Sequence, residues 1–222
     1  MTSHEIFKRE ITFLSETHFR LGIDLALRGK GVEDSGISDY TTRGKSKQYA
    51  IGAIVSAANS MEASINQFFN YEVEDTSSLS PLDLSDAERD NIISWWNPNS
   101  RMPIVNKYQE ALTRGGKDPF DTRANPYKDA ELLNMLRNKV VHYKPNWIEI
   151  GGPEQIEQIY GVKFPVNKLF KDYPTYFPNR CLGFGCAKWA LETTYNIVEE
   201  FYRRMGKCGH FSSFLEKEMA QL

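Results

Sequence analysis

The sequence predicts an all-α fold: an up-and-down helical bundle of about five main helices, with a long irregular crossover before the last long helix. Three observations carry this. Apolar residues recur at three- and four-residue steps over long stretches. Capping and breaking residues bracket those stretches. No strand-like alternation persists, and no repeat of solenoid period is present.

Taken in order, residues 5–28 place Ile6, Phe7, Ile11, Phe13, Leu14, Phe19, Leu21, Leu25 and Leu27 at helical steps. Gly29 and Gly31 then read as a stop. Residues 30–44 are polar and glycine-rich, the composition of a loop. From Ser46 to Tyr71 the positions Ile51, Ile54, Val55, Ala58, Met61, Ile65, Phe68 and Phe69 follow helical spacing most closely. Residues 72–84 are an acidic, serine-rich connection. Ser85 with Glu88 three positions on is a capping box for a short helix, which the Asn97-Pro98-Asn99-Ser100 run should break. Pro103 suits a first helical turn, and the helix it opens should stop at Gly115-Gly116. After a structured loop, Asp129 begins a helix through Leu132, Leu133, Leu136, Val140 and Val141 that ends before Pro145. Residues 145–179 hold five of the ten prolines, too many for a long helix, so a crossover with a short helix near 153–160 is expected. Asn179 to Met205 steps through Cys186, Trp189, Ala190, Thr193, Ile197 and Phe201 and closes at Gly206. A short helix ends the chain.

At 222 residues the chain suits a single domain able to bury a core without disulfides or metals. Three cysteines make no disulfide framework. With no apolar leader near the N-terminus and no long uncharged apolar run, a cytoplasmic protein without membrane contact is expected. The net charge of −2 argues against coating nucleic acid by bulk electrostatics. Its distribution is uneven: residues 101–144 carry nine Lys or Arg against five acids, hence +4, leaving −6 for the remainder. A phosphate-bearing partner and a mixed, solvated surface both fit that excess.

Within this basic stretch stands LRNKVVHYKP, residues 136–145. Five helical steps rotate the chain by about 140° net, so Arg137 and His142 do not share a face, whereas Asn138 and His142 do. Their convergence in one chain would need the helix to unwind near Pro145; otherwise a second subunit must supply one of them. In a purely structural reading, Arg137 pairs with an acid and His142 bonds the last carbonyls of its helix.

The run Arg137, Asn138, Lys139, Val140, Val141, His142, with the upstream SAANSMEASINQFF and the closing CAKWALETTYNIVEEFYRRM, resembles the HEPN domain family over roughly residues 46–205. The resemblance implies a single HEPN-like helical domain, many of whose relatives are metal-independent endoribonucleases that pair two Arg-His motifs in one cleft of a homodimer. Carried over, Arg137 would stabilise charge on a scissile phosphate. His142 would move a proton at the ribose 2′-hydroxyl or the leaving oxygen, and Asn138 would orient the histidine or the phosphate. Glu62, Tyr143, Lys139 and Lys144 would be supporting residues. An antitoxin or operon partner protein is a further implied partner. One toxin subgroup has tyrosine two residues after the histidine; here that position is Lys144 and tyrosine follows the histidine directly, as Tyr143. The rival class is a non-catalytic HEPN-like interaction module.

Glu62 is the only charge in the row Val55, Ala58, Glu62, Ile65, Phe69, so it either finds a cation, Arg137 being the candidate, or sits at the stripe's solvated margin. Cys181, Cys186, Cys208 and His210 match no compact zinc spacing. Gly183-Phe184-Gly185 lacks the strand a dinucleotide turn needs. No P-loop, HExxH or GxSxG occurs, and no cofactor or metal is expected. Trp95, Trp96, Trp147, Tyr173, Tyr176 and Phe177 fall in or beside expected loops, where they suit base stacking or packing as lids.

Overall fold

The computed structural model describes residues 12–75, 82–145, 154–207, 209–211 and 213–222. Among these it is an all-α bundle with no strand: α1 (Ser15–Asp34), α2 (Tyr40–Gln67), α3 (Asp86–Asn99), α4 (Ile104–Arg114), α5 (Tyr127–Val141), α6 (Gln155–Tyr160), α7 (Phe184–Arg204) and α8 (Ser213–Met219). Ile6, Phe7, Ile11, Trp147 and Cys208 lie outside the described residues.

α2 is the central element, packed by α1, α7, α5 and α4. Its Ile54, Met61 and Ile65 are fully buried, and the π-helical turn Phe68–Glu72 that prolongs it sets Phe68 edge-on to Phe201 of α7, 5.0 Å between centroids. The α1–α2 contact is close because its surface is small. A methyl at Gly52 would stand 2.8 Å from Leu25, one at Gly29 3.3 Å from Tyr49, and one at Gly22 3.5 Å from the Ala53 carbonyl and Ser56 Cβ, besides 2.8 Å from Leu191 of α7.

This contact corrects the expected first stop. Gly29 and Gly31 do not end α1, which runs on to Asp34, because Gly29 serves the approach of α2 rather than a turn. The expected loop 30–44 shrinks to residues 35–39, after which Asp39 caps α2 by accepting from the Thr42 amide at 2.7 Å. The capping box of Ser85 and Glu88 forms as expected. The expected break at residues 97–100 is found at its far end rather than at Pro98. α3 continues through Pro98 to Asn99, held by Trp96, which stacks on Phe69 at 4.2 Å and donates to Asn70 Oδ1 at 2.9 Å. Trp95 and Trp96 are thus helical residues packed on the bundle. Gly206, at φ +82°, does close the last long helix.

That helix begins at Phe184 rather than Asn179, because the segment before it is a wide turn, Tyr176–Arg180. The crossover from α6 to α7 is tied to the bundle by a buried carboxylate. Glu33, in the last turn of α1, is 4% exposed and accepts from the Phe184 amide at 2.6 Å, the Lys168 amide at 3.2 Å and the Ser46 hydroxyl at 3.3 Å. It thereby satisfies a free amide at the positive end of α7. Fully buried Asn167 completes the knot, donating to Ser46 Oγ at 2.9 Å and to the Leu182 carbonyl at 2.8 Å. Glu33→Ala strands three donors in the interior and is expected to cost about 3 kcal/mol or more, with Glu33→Gln, which keeps one acceptor oxygen, costing less. Urea unfolding midpoints measure both; equal midpoints for Glu33→Ala and the parent protein would contradict this role.

Candidate functional site

α5 ends where the motif lies. Leu133 and Leu136 are buried against the bundle, so the next residues rotate outward, and Arg137 is half-buried while Asn138, Lys139 and His142 are exposed. His142 is already outside the helix, at φ −103° and ψ 34°, its amide still bonded to the Asn138 carbonyl at 2.9 Å. The helix end therefore unwinds, one of the two ways open to Arg137 and His142 for meeting. They nonetheless face different surroundings. Arg137 turns toward α2, with Nη2 3.5 Å from Glu62 Oε2, while Nη1 donates to Asn138 Oδ1 at 2.9 Å. Asn138 thus holds the arginine rather than the histidine.

Glu62 stands between two cations. Besides Arg137 it faces Lys107 Nζ of α4 at 3.6 Å, and its side chain is 37% exposed, so it is both paired and at the margin of the stripe. Lys107 is 2% exposed, its ammonium bonded to Asn66 Oδ1 at 3.0 Å and lying 5.3 Å from the Trp96 ring centre. Burial pulls its pKa down, and Glu62 pulls the other way. The sequence held a signal for this residue: Lys107 lies on the row Ile104, Lys107, Tyr108, Ala111, the apolar face of α4. A buried lysine on such a row demands a partner, and Glu62 with Asn66 supplies it.

His142 instead lines a cleft of about 570 Å³ together with Met135, Lys139, Tyr143, Lys144 and residues of α6. α6 forms the opposite wall. It is fixed by the Tyr160 hydroxyl, which donates to the Leu132 carbonyl at 2.9 Å, and by the Lys163–Asp129 ion pair at 2.6 Å. Phe177 closes one end, with Tyr143 6.0 Å away between ring centres and the Lys139 ammonium 5.1 Å from its ring. Glu154 also lines the cleft, but its carboxylate accepts from the Tyr176 and Phe177 amides. Among the described residues, neither Lys139 nor Lys144 has a carboxylate at ion-pair distance. Arg137 and Glu62 do not line this cleft. Sequence patterns missed Glu154, Ile156, Ile159 and Tyr160, which lie in the proline-rich crossover just after α5, where no periodic pattern marks a face.

Comparisons with protein-family models, with curated proteins and with solved structures find no match to this chain. The likeness to HEPN domains therefore rests on the quoted residues and their helical setting.

Of the zinc candidates, Cys181, Cys186 and His210 are described, and His210 lies apart from the two cysteines. Cys181 and Cys186 are buried beside Tyr160 and Tyr176, where burial raises the Cys186 thiol well above its usual pKa. His210 stacks on Tyr202 at 4.1 Å between ring centres. Among the described residues no group of three His, Cys, Asp or Glu could hold a metal ion. No helix among them is long and apolar enough to cross a membrane.

His210 belongs to a second buried cluster around Glu72, which is 7% exposed and receives Lys207 Nζ at 2.9 Å, Gln67 Nε2 at 2.7 Å and the Tyr202 hydroxyl at 3.1 Å. Burial, helped by the Lys207 charge, lowers the His210 pKa to about 3. Glu72 Oε1 lies 4.0 Å from its ring, and the Glu72 charge is met by Lys207. Native His210 thus stays neutral to about pH 3, whereas the unfolded chain binds the proton near pH 6.5. The unfolded state gains protons first, so stability is lost as the pH falls from 6.5 toward 3. Replacing the imidazole with an uncharged ring, His210→Phe, is expected to flatten this limb and to recover about 2 kcal/mol at pH 4.5 relative to the parent. Melting temperatures across that range are the measure; parallel curves would refute it.

Proposed function

We propose that the protein acts on RNA at the His142 cleft, as a HEPN-like, metal-independent endoribonuclease whose reacting groups are completed across a homodimer. The observation that carries this reading is the position of His142. It stands clear of its helix in an open cleft whose cations, Lys139 and Lys144, are unneutralised by any ion-pair carboxylate among the described residues. Two supporting observations concern the second copy. Arg137 is turned away from the cleft of its own chain, so the partner's Arg137 is the one that would complete the site. Met135, Val141 and Tyr143, each 44–56% exposed, place large apolar side chains beside the motif, as a self-association face would.

In this reading a phosphodiester lies against Lys139 and Lys144. His142 takes the 2′-hydroxyl proton or gives one to the leaving 5′-oxygen. The partner's Arg137 offers a planar fork to the charge growing on phosphorus, and the neighbouring 2′-oxygen is the nucleophile. An antitoxin or operon partner protein seated over the same cleft would restrain the activity.

The non-catalytic reading has its own support in the Arg137 contacts with Glu62 and Asn138, which suit a packing role. The two separate on incubation of the purified protein with total RNA. Cleavage is expected in EDTA, leaving 2′,3′-cyclic phosphate and 5′-hydroxyl ends, and His142→Ala should slow it by about 100-fold or more. Light scattering should give twice the chain mass of 25.5 kDa. A dimer that leaves RNA intact would favour the interaction module. A monomer, or cleavage that needs magnesium, would remove the composite-cleft mechanism.

A further inference from the structure

A second group of cations lies outside the His142 cleft. Between Tyr40 and Met61, α2 carries Arg43, Lys45 and Lys47 and no acid. Arg43 and Lys47, four residues apart, share a face, where like charges repel. Neither has a carboxylate at ion-pair distance among the described residues. Of the acids near them in sequence or beside the platform, Asp39 caps α2, Asp34 binds Lys30 at 2.9 Å and Lys168 at 2.6 Å, and exposed Asp172, between Phe170 and Tyr173 in sequence, is at ion-pair distance from neither cation.

The two cations rest on an aromatic platform supplied by the crossover. Phe170 and Tyr173 pack edge to face, 4.8 Å between centres. Lys47 Nζ lies 4.7 Å from the Phe170 centre, and the Arg43 guanidinium lies 5.3 Å from that of Tyr173. Arg43 Nε donates to Ser38 Oγ at 2.9 Å and Nη1 to the Tyr173 hydroxyl at 3.0 Å, while Lys47 donates to Asn179 Oδ1 at 3.2 Å. The head groups are thus oriented by neutral partners alone. Partial burial strips water from Lys47 and lowers its pKa, with no anion given in return. Such an arrangement gains most from an anion that arrives from outside.

The platform is also placed relative to the cleft. Asn179, which binds Lys47, and Phe177, on which Lys139 lies, are two residues apart in the turn Tyr176–Arg180. Two residues reach at most ~7 Å, so the two cation groups flank one short turn.

We infer that Arg43 and Lys47 form a second anion subsite, which binds the phosphates of a single strand as it passes over the turn Tyr176–Arg180 from the His142 cleft. The half-exposed Tyr173 ring beside them offers a stacking surface for a base. The inference rests on the RNA reading only for the identity of the chain that carries the phosphates; free polyphosphate presents the same chemistry.

The test compares Arg43→Gln/Lys47→Gln with Lys128→Gln/Lys217→Gln, a control that loses the same charge from exposed positions on α5 and α8. The probes are inorganic tripolyphosphate, followed by calorimetry, and labelled single-stranded RNAs of about 4 and about 12 nucleotides, followed by anisotropy over a salt series. Tripolyphosphate binding should weaken at least tenfold in the first variant and hold in the control. For the longer RNA the slope of log affinity against log salt should shrink by about 1.4, the loss of two phosphate contacts on a single strand. The short RNA should be unaffected, and Arg43→Lys/Lys47→Arg, which keeps both charges, should keep the slope. Equal behaviour of the platform variant and its control on both probes overturns the subsite, even where His142-dependent cleavage upholds the RNA reading. Discrimination on tripolyphosphate, with no RNA bound by the parent protein, overturns the RNA reading and leaves the subsite to free polyphosphate. Absence of binding to either probe overturns both.

Discussion

The arrangement of this bundle depends on one buried carboxylate. Glu33 closes α1, receives the first amide of α7 and receives the Lys168 amide from the crossover. A charged group in that position is tolerable only while all its donors are present, since an uncompensated ion in a dry interior is costly. The crossover therefore has a fixed point at residues 167–168, and the wide turn after it inherits that position. Phe177 and Asn179 lie on this turn, one in the cleft and the other against Lys47. Neither surface would be held in place if the last long helix began without its carboxylate.

The architecture was legible where local chemistry and packing agree. The apolar steps of α2, the capping box at Ser85 and Glu88, and the left-handed Gly206 each follow from nearby residues, and each is found. The misread boundaries are those where a distant contact overrules a local signal. Gly29 looks like a stop but admits Tyr49, and Pro98 looks like a break but lies in a turn anchored by Trp96 against Phe69. Glu33 was invisible for the same reason: in sequence it sits in a polar run, and the amides it binds are 135 and 151 residues away.

The candidate site divides along similar lines. Pairing of Glu62 with Arg137 was readable from a lone charge on an apolar row. The turning of Asn138 toward Arg137 was not, because a side-chain amide can donate or accept on either side of its helix. Lys107 makes the Glu62 region a three-residue charge system rather than a pair. Its ammonium, fixed by Asn66 and the Trp96 face, holds Glu62 from one side while Arg137 holds it from the other. Movement of Arg137 would leave Glu62 with a cationic neighbour still in place, which lowers the cost of freeing the arginine.

The glycine-lined contact between α1 and α2 has a consequence for the order in which the chain assembles. Only residues 35–39 join these helices, so bringing them together closes a short loop. Docking α7 on α2, as in the bond from Thr194 to the Ala57 carbonyl, spans 137 residues. In an otherwise unfolded chain the longer closure costs about 3 kcal/mol more in entropy. The α1–α2 hairpin is accordingly an early and inexpensive tertiary unit, and it forms with Glu33 still waiting for its amides. Those arrive only when α7 docks, which makes acceptance of the last long helix the step that turns a local hairpin into a cooperative domain.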